Sequence, residues 1–261
     1  MAALDVASQY LKIVSWNINS IRTYNKEAFK VFISEHNPDI LCFNEIKTSE
    51  SAYKLPLEVN EKYPYQYWNS CPQNAGYSGT LVLSKTKPTS VEISPFDSEG
   101  RLICLEFLNI ILVATYVPNS GRKLARLEYR TGDWDIKFRE YIKQKMEIMS
   151  VVVIGDLNVV PNLDIDIWNP KNKKSAGTTD AERQGFQDLL AVGLIDSYRH
   201  MHPAGRDYTF WSTYGTARER NLGWRLDHAL VSAELTDRIM GAGMLPDMDS
   251  DHCPVWIQLQ I

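Results

Sequence analysis

The chain of 261 residues holds no apolar run near the ~20 residues that a bilayer-spanning helix needs. Its first ten residues, Met1 to Tyr10, lack a basic stretch leading into an apolar core, so no secretory signal is expected. Cysteine is sparse: Cys42, Cys71, Cys104 and Cys253 are scattered with no Cys-x-x-Cys pair. That excludes a spaced zinc site and argues for reduced thiols in an intracellular compartment, nuclear in a eukaryote or cytoplasmic in a prokaryote. A Walker-type glycine loop and a Gly-x-Ser-x-Gly elbow are also missing, which removes P-loop and hydrolase-elbow chemistry. Positive charge is not in excess. Lys and Arg number 28 against 32 Asp and Glu, a net charge of -4, which excludes a wholly basic nucleic-acid coat but leaves room for a basic surface around an acidic centre.

What is present is the composition of a globular protein, 44% hydrophobic and 23% charged. No Gly/Ser/Pro linker or low-complexity tract divides it, so the expected organisation is a short tail over 1–10 and one domain over 11–261. Strands are expected at Leu11–Trp16, Ile40–Phe43, Thr80–Ser84, Val91–Ser94, Leu102–Phe107, Ile110–Tyr116, Tyr208–Trp211, Leu226–Ser232, Ala242–Leu245 and Val255–Leu259. Asn25 suits the cap of a helix to about His36, and Arg122 to about Lys145 and Glu182–Ala191 carry helical stripes. In the first of those, Thr131-Gly132-Asp133 is an expected interruption. Many strands and few long helices predict an α/β fold of two packed sheets with helices outside them.

The chain is organised around Val151-Val152-Val153-Ile154-Gly155-Asp156-Leu157-Asn158, a β-branched run that reads as a strand buried on both faces. Period-2 alternation puts Asp156 and Asn158 on one side where the strand leaves the core. An Asx turn would look the same locally, so the weight lies in recurrence. Asn17, Asn19, Glu45, Tyr116, Asn119, Asp227, Asp251 and His252 also stand at strand exits. Hard oxygen ligands, amide donors, a phenol and an imidazole suit Mg²⁺-assisted attack on a phosphodiester.

Seven motifs occur in the order found in the exonuclease III family of apurinic/apyrimidinic endonucleases, and the resemblance runs from Leu11 to the C-terminus. They are Ser15-Trp16-Asn17-Ile18-Asn19, Asn44-Glu45-Ile46-Lys47, Gly76-Tyr77-Ser78-Gly79, Tyr116-Val117-Pro118-Asn119, Gly155-Asp156-Leu157-Asn158, Gly223-Trp224-Arg225-Leu226-Asp227 and Ser250-Asp251-His252-Cys253-Pro254. The resemblance implies a four-layer αββα sandwich of the DNase-I-like kind. It also implies a monomeric DNA-repair enzyme that cuts duplex DNA 5′ to abasic sites with Mg²⁺ (Mn²⁺ as substitute), with accessory 3′ activities. By similarity Glu45 is the principal metal ligand, with Asp251, Asn19 and Asn17 close by. Asp156 would activate water, Asn158 would donate to the phosphorane oxygen, and His252, oriented by Asp227, would donate to a phosphate oxygen. Tyr116 and Asn119 complete the phosphate grip.

For substrate choice, Trp224 and Leu226 lie two apart and, with Phe210, could form a small apolar pocket whose mouth is flanked by Arg220, Asn221 and Arg225. Lys47, Arg122, Asn172 and Ser175 are expected substrate contacts, and Tyr214 is an expected wedge into the duplex. Asn44, Ser20, Pro161 and Ser175 depart from the family pattern without touching the core acid, base and ligands. Two other readings stand beside this one: another DNase-I-like phosphoesterase, and a catalytically silent DNA-binding module.

Overall fold

The computed structural model describes residues 10–246 and 250–261. Apart from Tyr10, the expected tail lies outside the described residues, and Tyr10 itself opens the first strand. In chain order the elements are β1 (Tyr10–Asn17), α1 (Lys26–His36), β2 (Ile40–Asn44), α2 (Leu57–Lys62), β3 (Tyr65–Asn69), β4 (Thr80–Ser84), β5 (Ser90–Ile93), β6 (Leu102–Glu106), β7 (Ile111–Tyr116) and α3 (Asp135–Met146). Then follow β8 (Val151–Asp156), α4 (Asp180–Leu190), β9 (Leu194–Asp196), α5 (Ser197–Met201), β10 (Phe210–Trp211), β11 (Gly223–Trp224), β12 (Asp227–Ser232), β13 (Ile239–Met244) and β14 (Val255–Gln260).

Two six-stranded sheets run in the orders β13-β14-β1-β2-β4-β3 and β5-β6-β7-β8-β12-β9. Their inner faces meet through alternate aliphatic residues such as Ile13, Val82, Leu112, Ile154 and Ile257. The outer face of the first sheet is covered by Phe29, Phe32 and Ile33 of α1 against Val14, Trp16 and Phe43. The second is covered by Phe138 and Ile142 of α3 and Phe186 and Leu189 of α4, against Val113, Val151 and Val153. Strands buried on both faces read as near-continuous apolar runs, and this is the four-layer αββα arrangement that was expected.

Each sheet contains a parallel pair joined through a helix, β1–α1–β2 and β7–α3–β8. The registers end level, Asn17 opposite Asn44 in one sheet and Tyr116 opposite Asp156 in the other. Strand β12 runs antiparallel to β8 and starts at the same edge, with Asp227 opposite Asp156. Sequence periodicity therefore delivers five polar residues to one end of the sandwich.

Gly155 makes the last step of β8 possible. Its φ is 148°, and a Cβ there would lie 1.8 Å from the Thr115 carbonyl oxygen, a position no side chain can share. This conformation turns the Asp156 amide out of its own sheet, and it donates to Asn44 Oδ1 across the sandwich at 3.0 Å.

The helix expected from Arg122 is not regular. A 3₁₀ turn spans Arg122–Leu124, with Lys123 (φ 56°) and Leu124 (φ 60°) left-handed. A π-helical segment then spans Tyr129–Trp134, so Thr131-Gly132-Asp133 widens the helix rather than breaking it. The short elements β3, β9, α2 and α5 were not foreseen. β9 has three residues, and β3 (Tyr-Gln-Tyr-Trp-Asn) lacks alternation because it is a partly exposed strand at the sheet's end.

Candidate active site

Five strand ends supply the centre. Asn17 is fully buried at the end of β1, and its carboxamide nitrogen donates to Glu45 Oε1 at 3.0 Å and to Asp156 Oδ2 at 2.9 Å. Its Oδ1 accepts the Asn19 amide at 3.1 Å. Asn17 was expected among the metal ligands; its oxygen takes the Asn19 amide and its nitrogen ties the two carboxylates together. Tyr116, at the end of β7, donates its hydroxyl to Glu45 Oε1 at 2.7 Å. Burial, then the charges of Glu45 and Asp156, push that phenol well above its usual value and keep it a donor.

Glu45 follows β2 with φ 53°, and Asn19, Lys47 and Asn158 are left-handed as well, at 46°, 50° and 48°. Such non-glycine conformations cost on the order of 1 kcal/mol or more and gather where a site demands them. Burial raises the Glu45 carboxyl, but hydrogen bonds from Asn17, Lys47 and Tyr116 outweigh it and hold the group below its ordinary value. Lys47 Nζ sits 2.8 Å from Glu45 Oε2 and 2.5 Å from Asn19 Oδ1. Asn19 Nδ2 in turn donates to Asp251 Oδ1 at 3.1 Å. An ammonium resting on a carboxylate and an amide oxygen, with a second carboxylate one hydrogen bond away, marks a hard-oxygen place for a cation. Glu45, Asn19 and Asp251 are the residues that could hold a divalent ion there.

Among the described residues, Asp156, Asp227 and His252 are the one group of three carboxylate or imidazole side chains whose ligand atoms approach within 4.8 Å of one another. Their spacing is that of a proton-holding chain. His252 Nδ1 is 2.7 Å from Asp227 Oδ2 and Nε2 is 4.0 Å from Asp156 Oδ2. Burial would lower the imidazole pKa, yet the Asp227 carboxylate outweighs this and raises it to about 10. A charged ring offers no lone pair to a metal. Burial and the nearby Asp227 charge push Asp156 up to about 7, against the opposing pull of His252 and the Asn17 hydrogen bond.

Asn158 closes the Asx turn, its amide donating to Asp156 Oδ1 at 2.9 Å. Its side-chain nitrogen donates to the Val117 carbonyl at 2.9 Å and more weakly to Asp156 Oδ2 at 3.3 Å. Asn119 Nδ2 donates to Asn158 Oδ1 at 2.8 Å and so fixes which end faces the carboxylate. Trp16 donates to the His252 carbonyl at 3.2 Å, and Ser250 bonds both the Asn17 carbonyl and the His252 amide.

These groups open on a cleft of about 530 Å³ lined by Glu45, Tyr116, Asn119, Asp156, Asn158, Asp251 and His252 on its polar side. Phe210, Trp224 and Leu226 form an apolar wall, and Arg122, Lys123, Lys174 and Ser175 stand in the lining too. The Phe210 ring is 4.9 Å from the His252 ring and meets Trp224 edge-on at 6.3 Å. Asn17 and Asp227 lie buried beneath the cleft floor, and Asn19 and Lys47 lie beside Glu45 rather than in the lining. Asn172 reaches the cleft only through Ser175, whose hydroxyl donates to it at 3.0 Å. Tyr214 is 93% exposed and stands outside the lining. Leu124, inside the stretch from Arg122 expected to be helical, lines the cleft instead.

Arg225 is a correction of another kind. Expected at the pocket mouth, it is 1% exposed, its guanidinium turned inward onto Asp166 and Asp196. Asn44 was foreseen only as a departure from pattern, yet it holds the Asp156 backbone. Among the described residues no helix is long and apolar enough to cross a membrane.

Residues 14–252 match the endonuclease/exonuclease/phosphatase family, a family of metal-dependent nucleases. A DNA-(apurinic or apyrimidinic site) endonuclease of Dictyostelium discoideum is 38% identical over 265 residues, covering 98% of this chain and 72% of that protein. An exodeoxyribonuclease of Bacillus subtilis is 39% identical over 259 residues, 96% of this chain and 100% of that protein. The solved structure of a Neisseria 3′ phosphatase bound to a product DNA hairpin superposes with a TM-score of 0.84 at 26% identity, covering 95% of this chain and 99% of that one. With these relatives and the buried carboxylate–imidazole centre together, the chain belongs to the exonuclease III family of apurinic/apyrimidinic endonucleases and is a hydrolytic nuclease of DNA repair.

Proposed function

We propose that this enzyme, acting as a monomer, cuts duplex DNA at abasic sites, hydrolysing the phosphodiester 5′ to the baseless sugar with Mg²⁺, for which Mn²⁺ substitutes. The cut leaves a 3′-hydroxyl and a 5′-deoxyribose phosphate. The observation that carries this reading is adjacency: the apolar wall of Phe210, Trp224 and Leu226 shares one cleft with Glu45, Asp156 and His252. A sugar without its base is small and unstacked, and costs little to rotate out of the helix. Against this wall its 5′ phosphate would rest on the polar side.

Glu45, with Asn19 and Asp251 beside it, would hold the cation, which supplies positive charge to a phosphate oxygen. Asp156 takes a proton from water, whose oxygen bonds to phosphorus while the bond to the 3′ oxygen breaks, and that departing oxygen takes a proton from solvent to become the 3′-hydroxyl. A carboxylate near pH 7 is matched to that task, and such a base contributes ~10²–10⁴-fold. The charged His252 turns Nε2 toward a non-bridging oxygen. Asn158 donates there by giving up its 3.3 Å contact with Asp156. Arg122, Lys123 and Lys174 on the rims meet backbone phosphates, which makes binding depend on salt. The same cleft would admit blocked or recessed 3′ ends, giving accessory 3′–5′ exonuclease and 3′-phosphodiesterase activity.

The test is a duplex carrying one tetrahydrofuran abasic analogue, with Mg²⁺ or with EDTA, beside intact duplex and phosphoinositide. Metal-dependent nicking 5′ to the analogue with intact duplex spared is expected. Headgroup release without nicking would point to a different phosphoesterase, and binding without turnover to a silent module.

A further inference from the structure

Arg225 lies between two residues of the apolar wall, Trp224 and Leu226, and faces the other way. Its Nε and Nη2 donate to both oxygens of Asp166 at 2.7 and 3.2 Å, and Nη2 also stands 2.8 Å from Asp196. Nη1 is 3.0 Å from His228 Nδ1, whose other ring nitrogen donates to the Val159 carbonyl at 3.0 Å. The backbone joins in: the Arg225 amide donates to the Asp166 carbonyl at 2.8 Å. One residue on, Ile167 pairs with Trp224, and the Trp168 amide donates to the Gly223 carbonyl at 3.0 Å. Arg199 meets Asp166 Oδ1 at 2.6 Å, so a second cation shares that carboxylate.

The consequence is mechanical. The 162–168 loop, which supplies Leu163 and Ile167 behind Leu226, is fastened to the strand that carries the wall. The planar fork of arginine fixes angle as well as distance, which an ammonium cannot do. Asp227 is held through the β12–β8 ladder and by its amide on Thr209 Oγ1 at 3.0 Å, an oxygen that also takes the Leu226 amide at 2.9 Å, so the backbone is pinned there while the Arg225 fork ties the strand to the 162–168 loop.

We infer that Arg225 is a positioning residue for the substrate sugar: its lock on Asp166 and Asp196 sets the spacing of Trp224 and Leu226, and so governs acceptance of an abasic site without taking part in the chemistry. The inference rests on the abasic reading above. A buried ion network serving stability alone would leave substrate preference unchanged.

The experiment compares two Mg²⁺-dependent activities of the full chain: incision of the tetrahydrofuran duplex, and hydrolysis of bis(4-nitrophenyl) phosphate, which has no sugar to seat. Arg225→Lys keeps the charge but loses the fork, and Asp196→Asn loosens only the outer contact while still able to cap α5. In variants that melt cooperatively, kcat/KM on the duplex should fall about tenfold or more, chiefly through KM, with the small diester within about twofold. Asp196→Asn, the milder change, keeps the test open if Arg225→Lys does not fold. Equal losses on both substrates, or none on either, overturn the inference. A wild-type enzyme that hydrolyses the small diester but leaves the abasic duplex intact overturns the parent reading, and this one with it.

Discussion

Nδ1 of His252 stands 2.7 Å from Oδ2 of Asp227, with both side chains buried. Burial alone would discharge the ring, but the carboxylate raises its pKa to about 10. A group whose folded pKa lies above its unfolded value near 6.5 stabilises the fold fully below that value. That stability is lost as pH climbs toward 10. Metal-free urea melts from pH 7 to 10 should therefore show declining stability, and His252→Gln should flatten the decline. A wild-type slope unchanged by that substitution would contradict the assignment of charge to the ring.

His228 works in the opposite direction. Burial, and next the Arg225 guanidinium, hold it down at about 4. The unfolded chain takes up this proton near 6.5, so the contribution is whole above that pH and drains away as pH falls toward 4. Melts between pH 7 and 4 should show the loss, levelling off below it. In His228→Gln the slope over that window should be shallower.

Gly155→Ala tests the backbone of the centre. With φ at 148° and a carbonyl oxygen 1.8 Å from the added carbon, β7 and β8 cannot both stay in place. A cost of roughly 3–5 kcal/mol is expected, with loss of incision even in the fraction that folds, because the bond from the Asp156 amide to Asn44 depends on that turn. A variant with wild-type melting and turnover would refute the argument.

Trp224→Ala probes the wall itself. Trp224 is only partly buried and meets Phe210 edge-on. Its loss should weaken binding of the tetrahydrofuran duplex about tenfold, while affinity for intact duplex, which comes from phosphate contacts, changes little. Equilibrium binding to both duplexes at one fixed salt concentration reads this difference.

Much of this was legible from residue order. Valine and isoleucine runs gave the central strands because burial on both faces imposes such runs, and the carboxylates and amides at their ends announced the site. Pairing of Asp227 with His252 needed the family resemblance, since an aspartate beside Arg225 reads equally well as a surface ion pair. Arg225 was misplaced because Arg220 and Asn221 make its neighbourhood look solvated; its partners Asp166 and Asp196 are distant in sequence, and local pattern carries no trace of them. Asn17 was seen as a ligand because an amide offers both oxygen and nitrogen, and only the fold decides which end faces the carboxylates. The π turn at Tyr129–Trp134 lies against α4 and buries Arg130 onto the Pro118 and Leu157 carbonyls, contacts that periodicity along the chain does not carry.

The division of labour between Glu45 and Asp156, bridged by Asn17, is tested most directly by titrating Mg²⁺ against single-turnover incision of the tetrahydrofuran duplex in Glu45→Gln and Asp156→Asn. Glu45→Gln should need about tenfold or more Mg²⁺ for half-maximal rate and recover in part at high concentration. Asp156→Asn should keep a near-normal Mg²⁺ requirement and lose ~10²-fold or more in rate at every concentration. The reverse pattern, with the metal requirement moved by Asp156→Asn and untouched by Glu45→Gln, would contradict the assignment of cation and base.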